Sequence, residues 1–152
     1  MRKFLRSFPV LLALAAILVI SGCAGNKQSP LEEMQAAFAD LRTEIQANVT
    51  DPERAAQAVD LVDQLEQAYI DVSASIQSRK EQLRTLNEDY DSSRAAMEEQ
   101  LALIVTDLKA NQEVVLGIGD KMSALLTPEE KDELGKARSK ALNAAVTAMD
   151  AT

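Results

Sequence analysis

The 152-residue chain has no histidine, no tryptophan and a single cysteine, and its aromatic content is two tyrosines and three phenylalanines. Each shortage excludes something. Without imidazole, the commonest general base and metal ligand is missing. One thiol cannot close an intrachain disulfide, so stability must come from packing. No glycine-rich phosphate loop is present, which removes the usual nucleotide cradle. Zinc, copper and nickel sites lean on imidazole or thiolate. For calcium, Asn87, Asp89 and Asp91 offer oxygens at alternate positions, but no glycine makes the turn and no later acid stands at the required spacing. Neither an enzyme, a cofactor nor a metal site is expected.

Charge is abundant, with twenty-four acidic against sixteen basic residues. An acidic chain repels phosphate backbones and anionic headgroups, so nucleic acid is not an expected partner. Adjacent or near-adjacent acids, such as Glu32 with Glu33, Asp89 with Asp91, Glu98 with Glu99 and Glu129 with Glu130, could in principle serve glycoside cleavage. With so few aromatics to build a sugar pocket, they read instead as solvated helix faces. Met34, Met97, Met122 and Met149 fall at helical seam spacing and read as core.

The first residues have a distinct layout. Arg2, Lys3 and Arg6 precede an apolar run over 10–20, too short to span a bilayer stably, followed by the small residues Ser21 and Gly22. That is the plan of a secretory signal peptide. The tetrad Ile20-Ser21-Gly22-Cys23 resembles the lipobox of bacterial lipoproteins: an aliphatic residue, a small residue, glycine, then cysteine. The resemblance implies cleavage before Cys23, acylation of its sulfur and attachment to a membrane through acyl chains. The expected organisation is a signal peptide over 1–22, a lipidated tether over 23–29 and a helical domain over 30–152. Removing Arg2, Lys3 and Arg6 leaves thirteen basic residues against twenty-four acidic ones, a net charge of −11. Two or more acyl chains hold a protein firmly where one does not. By the sorting habit of that family, Ala24 rather than aspartate after the cysteine implies the outer membrane, facing the periplasm.

The remaining composition, rich in alanine, leucine, glutamate, glutamine and lysine, points to an all-α domain. Ser29, Pro30, Glu32 and Glu33 announce a first helix. Leu31, Met34, Phe38, Leu41, Ile45 and Val49 form its apolar stripe, and it should stop near 48–50. Asp51-Pro52-Glu53 restarts the same grammar. A heptad seam through Val62, Leu65, Tyr69, Val72, Ile76, Leu83 and Leu86 follows, interrupted by Arg79. Beyond Tyr90 the phase shifts to Met97, Leu101, Ile104, Leu108, Val115, Ile118 and Met122. Residues 87–93 contain no glycine or proline, so we expect one helix to continue through them, about 90 Å long from 52 to 111. The fold would then be a long coiled-coil-like helix with shorter packing helices; a break near Ser92, with Asp91 or Ser92 as cap, would give a compact three- to four-helix bundle. Gly117 and Gly119 make a bend plausible. Thr127, Pro128 and Glu130 form a capping box for a last helix. Its stripe of Leu134, Ala137, Ala141, Ala145 and Ala148 buries little area, so it should be the least securely docked.

Leu126-Thr127-Pro128-Glu129-Glu130, followed by Leu134, resembles the L-T-x-x-Q signature of Spy-like periplasmic stress chaperones, with Glu130 in place of the glutamine. That resemblance implies a client-holding or envelope-stress role. The reading from the anchor and the helices is a structural or interaction lipoprotein of the cell envelope, working through self-association or a protein partner.

Overall fold

The computed structural model describes residues 28–89 and 91–151. The signal segment, Cys23 and the tether as far as residue 27 lie outside them, as do Tyr90 and Thr152. Four helices make up the described chain, with no strand among its residues: α1 (Pro30–Asn48), α2 (Pro52–Glu88), α3 (Arg94–Leu125) and α4 (Pro128–Asp150).

The helix starts follow the sequence punctuation. The Ser29 hydroxyl accepts from the Glu32 N–H while the Glu32 carboxylate accepts from the Ser29 N–H, closing a capping box. Asp51 caps α2 by accepting from the N–H groups of Glu53 and Arg54. Thr127 and Glu130 repeat the capping box at α4. Each cap satisfies donors that the first turn leaves without partners.

The expected continuity through 87–93 does not occur. α2 ends at Glu88, and α3 begins after Ser93, whose hydroxyl accepts from the Ala96 N–H. Asp89 supplies the stop: its carboxylate accepts from the Asp91 N–H and the Ser92 hydroxyl, giving the backbone a local alternative to the helical ladder. The result is an antiparallel α2–α3 hairpin instead of a single rod of about 90 Å. α3 runs unbroken through Gly117 and Gly119.

The core is built chiefly from α1, the first half of α2 and α4. Phe38, Met34, Ile45 and Val62 are its largest fully buried side chains, and the rings of Phe38 and Tyr69 meet with centroids 6.3 Å apart. α4 lies along α1 in an extensive contact, with Leu134, Ala141, Ala145 and Ala148 buried between them. Its small side chains let the two backbones approach, so α4 is well docked, against expectation. Leu31, assigned to the α1 stripe, sits at the open end of the helix and is exposed.

The weakly covered helix is α3. Its backbone runs close to α2 and stands off from α1 and α4, against which it sets only the side chains of its last turns, Val115, Met122 and Leu125, and Ile118 is its one buried residue. Ser29, Pro30 and Leu31 at the start of α1 and Ala148 and Ala151 at the end of α4 flank Ile70, Ser73, Ala74 and Gln77 of α2. Beyond Gln77, α2 continues for eleven residues beside α3, its one neighbouring helix among the described residues, as a two-helix arm about 16 Å long.

Candidate functional site

Several of the acids singled out by sequence are occupied in local structure. Glu32 belongs to a cap, Asp89 to the turn, and Glu98 pairs with Arg94 across one helical turn at 2.7 Å. Glu130 is buried and grips Arg54 through two bonds of 2.7 and 2.9 Å, while also accepting from the Thr127 N–H. The Arg54 guanidinium, aided by that N–H, pulls its carboxyl down to about 2. Arg54 donates in addition to the carbonyl of Leu125, so this cluster ties the start of α2 to the α3–α4 corner. Among the described residues, no three acids lie close enough together to hold a metal ion.

Two features remain. The first is a cavity of about 80 Å³ where the four helices converge, lined by Leu41, Ile45, Val62 and Leu65 on one side and by Val115, Ile118, Gly119 and Met122 of α3 with Leu134, Arg138 and Leu142 of α4 on the other. It marks where α3 and α4 stand apart. A void of this size, smaller than the roughly 150 Å³ that admits a benzene ring, accommodates the end of one apolar side chain.

The second is the outer surface of α3. Leu101, Val105, Leu108 and Leu116 are between 37% and 59% exposed. Leu101, Val105 and Leu108 are spaced four and three residues apart, and the same alternation carried on through Gln112 reaches Val115, Gly119 and Met122 in the cavity wall. One apolar stripe therefore runs along the helix from solvent into the bundle.

At the base of the arm, the side of α3 that meets α2 carries a polar cluster. The Ser75 hydroxyl donates to Asp107 at 2.6 Å, and Arg79 reaches the same oxygen at 3.5 Å. Ser75 and Arg79 together hold the Asp107 carboxyl below the usual carboxylate range. Gln100 stands seven residues before Asp107 on the same face, and among the described residues its Oε1 is buried without a hydrogen-bond partner. The α2–α3 seam thus mixes these polar groups with the half-buried Leu83, Leu86, Met97 and Ile104, while Leu101, Val105 and Leu108 stay outside.

Of the seam expected through Met97, Leu101, Ile104 and Leu108, Met97 and Ile104 are half-buried and Leu101 and Leu108 are exposed. The latter two point outward because Asp107 and Gln100 stand on the α2 side. Val105 and Leu116 were not anticipated as surface residues. Their signal is the run Leu101-Ala102-Leu103-Ile104-Val105, which in a helix puts apolar side chains on more than one face.

No protein-family model, curated protein or solved structure matches this chain.

Proposed function

We propose that the protein is an acyl-anchored lipoprotein of the bacterial cell envelope whose helical domain is a protein-interaction module at the periplasmic face of the outer membrane. The anchor rests on the lipobox resemblance at Cys23 and the signal-like residues before it. The interaction role rests on one structural observation, the exposed apolar stripe of α3. Large exposed apolar side chains in register along a helix are the usual mark of a surface that another helix covers.

The Leu126–Glu130 letters that resemble a chaperone signature each have a structural use here. Leu126 is buried, Thr127 caps α4, and Glu130 closes the cap and binds Arg54. They add no support to client holding as the function, so the interaction reading stands ahead of it.

Metabolic labelling with an alkyne fatty acid in a bacterial host tests the anchor. Wild-type chain should take the label and lose residues 1–22, whereas Cys23→Ser should do neither. An unlabelled wild-type chain that keeps its leading segment refutes the anchor. For the interaction role, combined Leu101→Lys and Leu116→Lys should leave helicity and melting unchanged while abolishing complexes captured by crosslinking in intact envelopes. Undiminished complexes would show that contacts are made elsewhere.

A further inference from the structure

The rotation of α3 against α2 is fixed by a polar cluster at the base of the arm. Rotating α3 about its axis would turn Leu101, Val105 and Leu108 toward α2, but would break the contacts of Asp107 with Ser75 and Arg79. The stripe therefore stays outside, and in a monomer it faces water. We propose that a second copy of this chain covers it, the α3 stripe of one molecule packing against the α3 stripe of the other.

Three observations select a copy over other occupants. First, the stripe has coiled-coil grammar: the four-three alternation places Val105 at one core position and Leu101 and Leu108 at the other, the β-branched and leucine combination that coiled coils use for pairs, and an identical stripe is its natural complement. Second, between residues 100 and 116 the only charges are Asp107, tied to Arg79, Lys109 and Glu113, so this stretch carries little net charge. Elsewhere a second strongly acidic molecule is repelled; here the repulsion is small. Third, the four exposed side chains amount to roughly a few hundred Å² of apolar surface, the scale at which patches mark interfaces. Two such patches sum to less than the roughly 1,200–2,000 Å² that specific pairs bury, the scale of a weak contact between copies that are already held close together. A membrane surface fits poorly, because the stripe has neither the aromatic anchors nor the basic flank of a helix that lies in a bilayer interface.

This inference rests on the anchored interaction reading, and the two can fail separately. If Cys23 is acylated, a cysteine introduced elsewhere is the one free thiol in the mature chain. Full-length Leu101→Cys, Val105→Cys, Leu108→Cys and Leu116→Cys variants, each at an exposed position, are expressed with their own leading segment, and the isolated membranes are treated with a mild oxidant. Gln46→Cys on the exposed face of α1 serves as control. At least one α3 variant should give a disulfide-linked species of twice the mature mass, and the control and wild type should give none. If no α3 variant gives such a species, or if the linked species has the mass of a heteromeric pair, the second copy is wrong. Thiols in α3 shielded from a water-soluble maleimide without any dimer overturn it in favour of a lipid contact. A dimer from unmodified wild type means instead that Cys23 carries no acyl group, which is failure of the anchor reading.

Discussion

Replacing Gly119 by alanine should stabilise the protein, and the size of the effect probes the gap on which the exposed face of α3 depends. Gly119 lies inside α3 with an ordinary negative φ, and a Cβ added there would meet nothing within 4 Å. Alanine gains about 1 kcal/mol over glycine in a helix interior. The methyl would stand in open space beside the 80 Å³ cavity and displace no neighbour, so the gain expected is that of propensity. For a domain of about 120 residues, 1 kcal/mol corresponds to a rise of about 4 °C in melting temperature. Gly117 is the internal control, since its Cβ also meets nothing within 4 Å but points away from the cavity, toward the α2 flank. Gly117→Ala and Gly119→Ala should both show the propensity gain. Urea denaturation, read by circular dichroism and compared at constant m, measures both. If Gly119→Ala lowers stability while Gly117→Ala raises it, α4 closes on α3 at this point. The separation between the two helices would then be wrong.

Phe38→Ala should cost about 3–5 kcal/mol, since the ring is fully buried against Tyr69 and little around it can collapse; a thermal melt displaced by only a degree or two would place the ring at the surface. Thr127→Ala should cost about 1 kcal/mol through the lost bond to the Glu130 N–H, and no change in urea midpoint would mean that α4 begins elsewhere. Acid titration should reveal Glu130. Its folded carboxyl is held near 2 against an ordinary value of about 4.3, so its stabilisation is complete above the ordinary value and disappears as pH falls toward the lowered one. Glu130→Gln removes that contribution, and its stability should vary less with pH between about 4.5 and 2. Superimposable acid profiles for the two proteins would show that the Arg54 contact is absent in solution.

The helix starts were legible because each is written locally. Ser29-Pro30, Asp51-Pro52 and Thr127-Pro128 join a capping side chain to a residue that fixes the first turn, and nothing distant need be known. The α1 core residues Met34, Phe38, Leu41 and Ile45 were equally plain from their spacing. The reversal after Glu88 was not, because no glycine or proline marks it. Asp89 and Ser93 end one helix and start the next through side-chain bonds that many exposed helices could make without breaking. Least legible was the rotation of α3. Its sequence carries two overlapping apolar stripes, one through Met97, Leu101 and Ile104 and one through Leu101, Val105 and Leu108, and spacing alone does not choose between them. The choice is made by Asp107, which reaches Ser75 and Arg79 about thirty residues earlier. Arg79 looked like an interruption of the α2 heptad, yet it is one of the contacts that turn the second stripe outward.

The place where the chain enters the bundle gives that outward face a setting. α1 begins beside residues 70–77 of α2, at the end from which the arm projects. The seven steps from Cys23 to Pro30 span at most about 25 Å, and the arm rises about 16 Å beyond the other helices. An acyl group on Cys23 would therefore keep the arm on the membrane side of the bundle, within tether reach of the bilayer. Copies in one leaflet would carry their α3 stripes at similar heights. Confinement of that kind raises effective concentration without adding a contact. An apolar face too small to hold two acidic molecules together in dilute solution can then suffice on a membrane, and severing the anchor should weaken pairing even though no residue of α3 has changed.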